Sequence, residues 1–260
     1  MHAIMGGSIS FGLVNIPIKL YSGSEDHQFD LTMLHKKDNS PIRYAKICRA
    51  EEKEIPYDQI VKGYEFQKGE YIVLTEKDFE SARRESSQII DIVEFVQEKE
   101  VDCRFFDKPY YLEPDKGAEK AYALLREALK KSGKLAVAKF TLHYREHIAT
   151  LKPIQSALVL NRIRYETEIR PFKNLELPEE KQIPKQEMDM ALTLIQQLTR
   201  PFKPAAFQDN YAQTLEKIIL ARSKGKKPVA VKKVPEKGKI LNLMDALKAS
   251  LKETEKKRAA

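Results

Sequence analysis

The amino-acid sequence predicts a mixed, mainly β fold, with a β-barrel core, a C-terminal helical arm and a disordered basic tail. Three observations indicate this order. Short runs of alternating apolar residues recur as far as residue 164, and two helical patterns follow residue 184. The final segment, residues 223–260, holds twelve lysines and arginines against four acids. With 260 residues the chain can bury a substantial core.

The strand predictions begin at residues 8–21, where Gly12 and Pro17 interrupt an alternating apolar run. We expect one bent strand here, of the kind that turns a barrel corner. Further strands are predicted from the same alternation at residues 70–74, 88–97, 134–144, 147–151 and 156–164. Several carry apolar residues on both faces, which is typical of a closed sheet with covering elements.

Helices are predicted from capping signals and apolar spacing. A capping box at residues 75–78 opens a short helix to about residue 84, and residues 115–131 repeat apolar residues at helical intervals. Residues 185–199 and 204–222 show the same repeat without strand signals. These last two helices form the predicted arm outside the barrel, and we expect their apolar face to be a subunit interface.

The basic excess lies in the tail. The whole chain has 46 Lys and Arg against 38 Asp and Glu, and the residues before 223 have 34 of each. This pattern indicates a neutral body with a mobile basic arm. The stretch from 223 to 239 has too few large apolar residues to fold alone. Residues 240–251 then form a short amphipathic pattern that is typical of a docking peptide.

Several classes of protein are excluded by what the sequence lacks. No apolar run has the length that a membrane span needs, and the first residues do not have the pattern of a signal peptide. Cys48 and Cys103 form no CxxC pair, which indicates a reducing, cytoplasmic compartment. The common phosphate-binding, hydrolase and zinc-protease motifs are absent. We therefore expect a protein that is not an enzyme and that uses no cofactor and no metal.

Two stretches are candidates for nucleic-acid contact. Residues 42–68 interleave lysines and arginines with tyrosines, and an extended ribbon of this kind could meet successive phosphates. The stretch also contains five acids, so a solvated strand surface is an equally good interpretation. In the predicted turn at residues 143–147 (HYREH), a phosphate contact through Arg145 is favoured over a metal held by the two histidines.

Ordered sequence blocks run along nearly the whole chain, namely ISFGLVNIPIKLY at 9–21, IRY at 42–44, EIPY at 54–57, IVKGYE at 60–65, FDKPYYL at 106–112, KAYALLR at 120–126, FKPAAF at 202–207, DNY at 209–211 and LMDALKASL at 243–251. These blocks resemble the bacterial Ku family, the DNA-end-binding proteins of non-homologous end joining. Several ordered blocks of this length are far more specific than a short motif. For the function of the chain, the resemblance therefore outweighs the argument from composition.

The resemblance implies a Ku-type β-barrel core at residues 1–171. The part of this core that bridges over the DNA, the bridge, falls at about 42–69. The resemblance also implies a dimerising helical arm at 172–222 and a basic flexible tail at 223–260. In this family a homodimeric ring threads onto a duplex end, so end preference comes from topology while phosphate contacts supply affinity without base readout. The implied partners are double-stranded DNA ends, a second copy of the chain and DNA ligase D, in the bacterial cytosol and on the nucleoid.

The resemblance also directs the choice of site residues. The predicted DNA contacts are Arg43, Lys46, Arg49, Lys53, Lys62, Arg145, Lys226, Lys227, Lys232 and Lys233. The predicted ligase-docking residues are Leu243, Met244, Leu247 and Leu251, and the predicted dimer contacts are Leu192, Ile195, Phe207, Tyr211 and Leu215. Many family members have a Cys-x-x-Cys pair in the bridge, but here the third residue after Cys48 is Glu51 and not a second cysteine, so we expect no zinc.

Two other hypotheses remain open at this level. In one, the barrel is a protein-interaction module and the basic tail binds nucleic acid nonspecifically by itself. In the other, the chain is a lyase or nuclease with an unfamiliar site, which the absence of known catalytic motifs disfavours. Deleting the residues after Arg222 separates the first hypothesis from the clamp, because only the clamp should still bind DNA ends.

Overall fold

The computed structural model describes residues 1–25, 29–82, 88–178, 183–225 and 246–250. The chain divides into two compact units, Met1–Phe172 and Lys173–Ala260. In the first unit the strands are β1 (Met5–Phe11), β2 (Val14–Ser22), β3 (Lys62–Gln67), β4 (Glu70–Leu74), β5 (Ile89–Gln97), β6 (Phe106–Pro114), β7 (Lys134–Leu142), β8 (Arg145–Ile154) and β9 (Ala157–Ile163). Its helices are α1 (Glu76–Ala82) and α2 (Glu119–Ser132). The second unit contains α3 (Lys185–Leu198) and α4 (Asn210–Ser223).

Seven of these strands form a closed barrel in the order β1-β2-β6-β9-β8-β7-β5. Neighbours pair antiparallel around the barrel except where β1 meets β5, which closes the sheet as a parallel pair. The backbones approach closely at this closure, because a Cβ added to Gly7 would lie 2.2 Å from the carbonyl oxygen of Gln88. Closure removes the free strand edges that an open sheet would expose. The predicted mainly β barrel fold is confirmed.

The barrel interior is filled by aliphatic and aromatic side chains from every barrel strand, including Ile9, Ile18, Leu20, Ile90, Leu112, Phe140, Leu151 and Leu160. Burial of such side chains is the main favourable contribution to folding. Helix α2 adds Tyr122, Leu125 and Leu129 to this core, as its apolar spacing predicted. The Tyr122 hydroxyl donates to the Leu112 carbonyl (2.7 Å) and accepts from the Leu158 amide (2.6 Å), so the helix is bonded to two strands.

The single bent strand predicted for residues 8–21 is wrong. The structure forms a hairpin of β1 and β2 there, with Phe11 pairing Val14 across a two-residue turn. Gly12 has φ +59°, a left-handed conformation that glycine adopts without a Cβ clash, and Leu13 points fully into solvent. The apolar alternation was interpreted correctly, but Gly12 marks a reversal of the chain and not a bend.

Other boundaries also differ from the predictions. Strands β3 and β6 were not predicted; β6 contains Pro109 and ends at Pro114, and prolines weaken a strand signal. Helix α2 starts four residues later than predicted, and α4 starts at Asn210 because the Asp209 side chain caps it through the Ala212 amide (2.9 Å). The helix at 185–199 is confirmed as α3. At the start of α1 the Asp78 carboxylate accepts from the Thr75 amide and hydroxyl (both 2.7 Å), while the Asp78 amide donates to the Thr75 carbonyl, so only one half of the predicted capping box forms.

Short 3-10 helices connect the longer elements. They lie at Tyr57–Gln59, Glu98–Glu100, Cys103–Phe105, Glu166–Glu168, Phe172–Asn174 and Pro204–Ala206. Such single turns are common connectors between regular elements. The turn at Glu166–Glu168 follows the last barrel strand, and it contributes Glu168 to the pocket described below.

Candidate nucleic-acid interface

Strand directions place several chain segments at one end of the barrel. Strand β2 ends at Ser22 and β5 begins at Ile89, so the segment between them, residues 23–88, leaves and re-enters the barrel at the same end. The start of β6, the turn between β7 and β8, and the end of β9 lie at this end too, as the antiparallel registers require. We call residues 23–88 the bridging segment and this end of the barrel the bridge end.

The described part of the bridging segment is almost entirely exposed. Two short loops are held by backbone hydrogen bonds. In the first, Leu34 pairs with Pro41; in the second, Ile47 pairs with Glu54. The Cys48 amide donates to the Lys53 carbonyl (2.9 Å), and the Ile55 amide donates to the Lys46 carbonyl (2.8 Å). The second loop therefore has a defined backbone although it packs against little else.

The predicted contacts Arg43, Lys46, Arg49 and Lys53 lie on or beside the second loop, and all four side chains are exposed. Within the described residues, no carboxylate lies within ion-pair distance of any of them. Lys46 places its ammonium 4.3 Å from the centre of the Tyr57 ring, a cation–π contact that leaves the charge open to solvent. Their charges are therefore available to an anionic partner.

Lys62 occupies a different position, at the start of the two-stranded sheet formed by β3 and β4. Its ammonium lies 4.7 Å from the centre of the Phe79 ring on α1. This hairpin also exposes large apolar side chains on its surface, among them Tyr64, Tyr71 and Val73. Lys62 therefore belongs to a different element from the four cations of the second loop.

Arg145 lies at the bridge end, next to a tight turn in which His143 and Tyr144 both have positive φ. The hairpin predicted here is confirmed. The two histidines do not come together as ligands, because His143 is exposed in the turn while His147 is half-buried in β8. Among the residues that the structure describes, no group of three or more His, Cys, Asp or Glu side chains could hold a metal ion.

Next to this turn, the structure forms a concave site that sequence reasoning missed. It is lined by Asp107, Arg145, His147, Ile163, Arg164 and Glu168, together with Arg162 and Tyr165, and we call it the arginine pocket. Asp107 accepts from Arg162 Nε (2.7 Å) and Arg164 Nη2 (2.8 Å), so one carboxylate holds two guanidinium groups. The sequence predicted a phosphate contact at Arg145, and it places Arg162 and Arg164 two residues apart, but it gave no signal that Asp107, more than fifty residues away, would join them.

Three arginines line the pocket, and two of them affect the pKa of His147. Partial burial lowers the pKa of the His147 imidazole, and the nearby charges of Arg162 and Arg145 lower it further. Asp107 and Glu168 act in the opposite direction but more weakly. His147 also packs against the Phe140 ring, with centroids 5.6 Å apart.

The predicted dimer contacts lie in the second unit. Leu192 and Ile195 on α3 are exposed, as are Phe207 and Tyr211, while Leu215 on α4 is half-buried. The Phe202 and Phe207 rings pack together with centroids 5.7 Å apart. Large apolar side chains are therefore displayed on the arm, as the helical spacing predicted.

Most predicted tail residues lie outside the described residues, namely Lys226, Lys227, Lys232, Lys233, Leu243, Met244 and Leu251. Leu247 is described, in a helical stretch at residues 246–250, and it is half-buried. Among the described helices, none combines the length and the apolar character that crossing a membrane requires.

The described part of the first unit is a closed seven-stranded barrel with a long insertion between β2 and β5, so the chain is a β-barrel protein with an inserted segment at one end of the barrel. A family model described as the Ku70/Ku80 beta-barrel domain matches residues 10–190. The chain belongs to the Ku family.

Similar proteins named non-homologous end joining protein Ku come from several bacteria. The Bacillus subtilis protein is 39% identical over 257 residues, which cover 98% of this chain and 83% of that protein. The Heliobacterium modesticaldum protein is 39% identical over 264 residues, covering 100% of this chain and 96% of that protein. The Symbiobacterium thermophilum protein is also 39% identical, and the chain spans 65% of its length. The predicted family is thus confirmed.

Proposed function

We propose that the chain is a non-enzymatic, homodimeric clamp that binds double-stranded DNA ends without sequence specificity and recruits DNA ligase D in non-homologous end joining. The observation that carries the proposal is the set of exposed cations on the second loop of the bridging segment, which have no carboxylate partner within the described residues. The names of the relatives support the same process.

A loop of this kind is suited to the DNA backbone. Lysine and arginine side chains that neutralise phosphates release condensed counterions, which gives affinity for any duplex sequence. Phosphate contacts position a protein on DNA but carry no base information. In the proposal, Arg43, Lys46, Arg49 and Lys53 make the first contacts, with Lys62 and Arg145 behind them. End preference follows because a closed ring can load only where a duplex stops.

A ring requires a second copy of the chain. We assign residues 1–171 to the barrel with its bridge at about 42–69, and residues 172–222 to dimerisation. The exposed apolar residues of the arm, such as Leu192, Ile195 and Phe207, support this assignment because large apolar side chains on a surface indicate a partner. Two-fold symmetry would let each arm contact the other copy in the same way.

The tail, residues 223–260, supplies the remaining functions in this proposal. Its lysines, including Lys226, Lys227, Lys232 and Lys233, add sequence-independent attraction to DNA. The apolar residues Leu243, Met244, Leu247 and Leu251 would bind a groove on the ligase. A flexible tether of this kind raises the effective concentration of the ligase at the break. The protein would act in the bacterial cytosol, on nucleoid DNA.

The test compares retention of a linear duplex with retention of a covalently closed circle of the same sequence, at matched moderate salt. Full-length protein is compared with the chain cut after Arg222. Strong preference for the linear duplex by both forms is the expected result. Equal binding to circle and line, lost on truncation, would overturn the clamp and favour an interaction barrel with a nonspecific basic tail.

A further inference from the structure

The arginine pocket has an excess of positive charge. Three arginines face two carboxylates, Asp107 and Glu168, so the pocket has one uncompensated cation when His147 is neutral. Both carboxylates are already engaged, since Asp107 bonds two guanidinium groups and Glu168 accepts from the Tyr165 amide (2.8 Å). The two carboxylates therefore cancel only part of the positive charge of the pocket.

The three arginines have different amounts of free donor capacity. Arg164 is tied to the fold, because it also donates to the carbonyls of Phe106 (2.6 Å) and Arg104 (3.3 Å). Arg162 is held by Asp107 through Nε and Nη2, which leaves its Nη1 without a partner in the described structure. The Arg145 side chain makes no hydrogen bond or ion pair with any described residue, so its guanidinium donors can meet a ligand.

The size and lining of the pocket limit the ligand. Its volume is about 260 Å³, which is below the usual range for a drug-sized molecule. Most of its wall is charged, and Ile163 is the one aliphatic residue among the described residues that line it. Guanidinium groups bind the oxygens of phosphate through parallel hydrogen bonds and are favoured wherever such recognition matters.

We propose that the arginine pocket is a binding site for a single phosphate group, contacted by Arg145, Arg162 Nη1 and the His147 ring, with Asp107 as the positioning residue for Arg162. The pocket opens at the bridge end, where the cationic bridging segment leaves the barrel. The group is therefore a backbone phosphate of the duplex. The assignment of the phosphate to DNA rests on the proposed function, whereas the proposal that the pocket binds a phosphate group does not.

The test follows the His147 ring by NMR in the full chain, with the resonance assigned by His147→Gln. The pH titration is recorded in chloride and then in inorganic phosphate at the same ionic strength. The groups facing His147 are Arg145, Arg162, Asp107 and Glu168. A bound anion offsets the two guanidinium charges, so we expect a saturable shift and a higher His147 pKa in phosphate. No saturable shift, or the same shift in chloride, would overturn the proposal.

Arg145→Gln is the decisive variant, because Arg145 is exposed and supports no part of the fold. We expect its phosphate affinity to fall at least about tenfold, the loss typical of a charged hydrogen bond. Lys116→Gln is the matched control, since it removes one exposed positive charge at the opposite end of the barrel and should leave affinity unchanged. If both variants lose phosphate affinity equally, the loss comes from the lower net charge of the protein, and the proposed site is wrong.

Addition of a short blunt-ended duplex identifies the source of the phosphate. Release of inorganic phosphate by the duplex supports a backbone contact. If the duplex and inorganic phosphate bind at the same time, the pocket takes free phosphate, and the assignment to a backbone phosphate is wrong. If the duplex binds with its usual affinity while the His147 resonance responds to neither ligand, the pocket proposal fails and the DNA-binding proposal stands.

Discussion

The barrel and the bridging segment solve opposite physical problems. The barrel buries its apolar side chains, and Phe140 is only 2% exposed. The bridging segment exposes nearly all of its side chains, and Tyr44 is 82% exposed. The difference shows that one part of the first unit generates stability, while the other presents charge on backbone loops that a few hydrogen bonds hold. A loop that packs against little can adapt to a partner at small cost in folding free energy.

The largest expected effect comes from two matched aromatic truncations. Phe140→Ala removes a ring that packs edge-on against Tyr110, with centroids 6.4 Å apart, and it leaves a cavity in the core. We expect a loss of about 3–5 kcal/mol in the free energy of unfolding. Tyr44→Ala should change it by less than about 0.5 kcal/mol. Denaturant unfolding measures both, and comparable losses would show that the bridging segment shares the stability of the barrel.

The second prediction concerns the closure of the barrel. Gly7→Ala places a Cβ against the carbonyl of Gln88, so β1 and β5 must move apart. We expect a loss of about 1–3 kcal/mol in the free energy of unfolding, the usual range for overpacking. Gly6→Ala is the control, since no atom lies within 4 Å of its added Cβ. If the two variants unfold alike, the close parallel approach at the closure is not a stability determinant.

The third prediction moves to the bridging segment and to DNA affinity. Reversing the charges of Lys46 and Lys53 to Glu should weaken binding to all duplex sequences alike. It should reduce the slope of log affinity against log salt by roughly one to two units, since each lost phosphate contact removes about one counterion. Lys116→Glu with Lys120→Glu is the matched control at the opposite end of the barrel. An unchanged slope in the first pair would show that these lysines face away from DNA.

The last prediction concerns the tail, where we expect a substitution to have the smallest effect on DNA binding. Leu247→Asp places a charge on the apolar face proposed for the ligase, so we expect DNA binding to be spared and ligase stimulation to fall. Ala249→Asp introduces the same charge at an exposed position of the same helical stretch, and it should have less effect. A ligation assay with purified ligase measures the difference. Equal stimulation by the wild type and Leu247→Asp would refute the docking peptide.

Sequence reasoning was most accurate where the signal was local. The buried face of α2, with Tyr122, Leu125 and Leu129, follows from spacing along a single helix. The hairpin turn before Arg145 and the Thr75–Asp78 contact at the start of α1 depend on neighbouring residues only. Gly12 was misread because a bend and a chain reversal use the same residue, and only pairing between strands distinguishes them.

The sequence by itself determined the family, the strand-rich body with a helical arm, and the location of the basic excess, because ordered blocks, periodicity and charge can all be read along the chain. Only the tertiary structure decided the order of strands, the parallel closure at Gly7 and the arginine pocket. Asp107 and Arg162 are far apart in sequence, and they meet because β6 and β9 pair. A site of this kind depends on which strands are neighbours, and no local pattern encodes that.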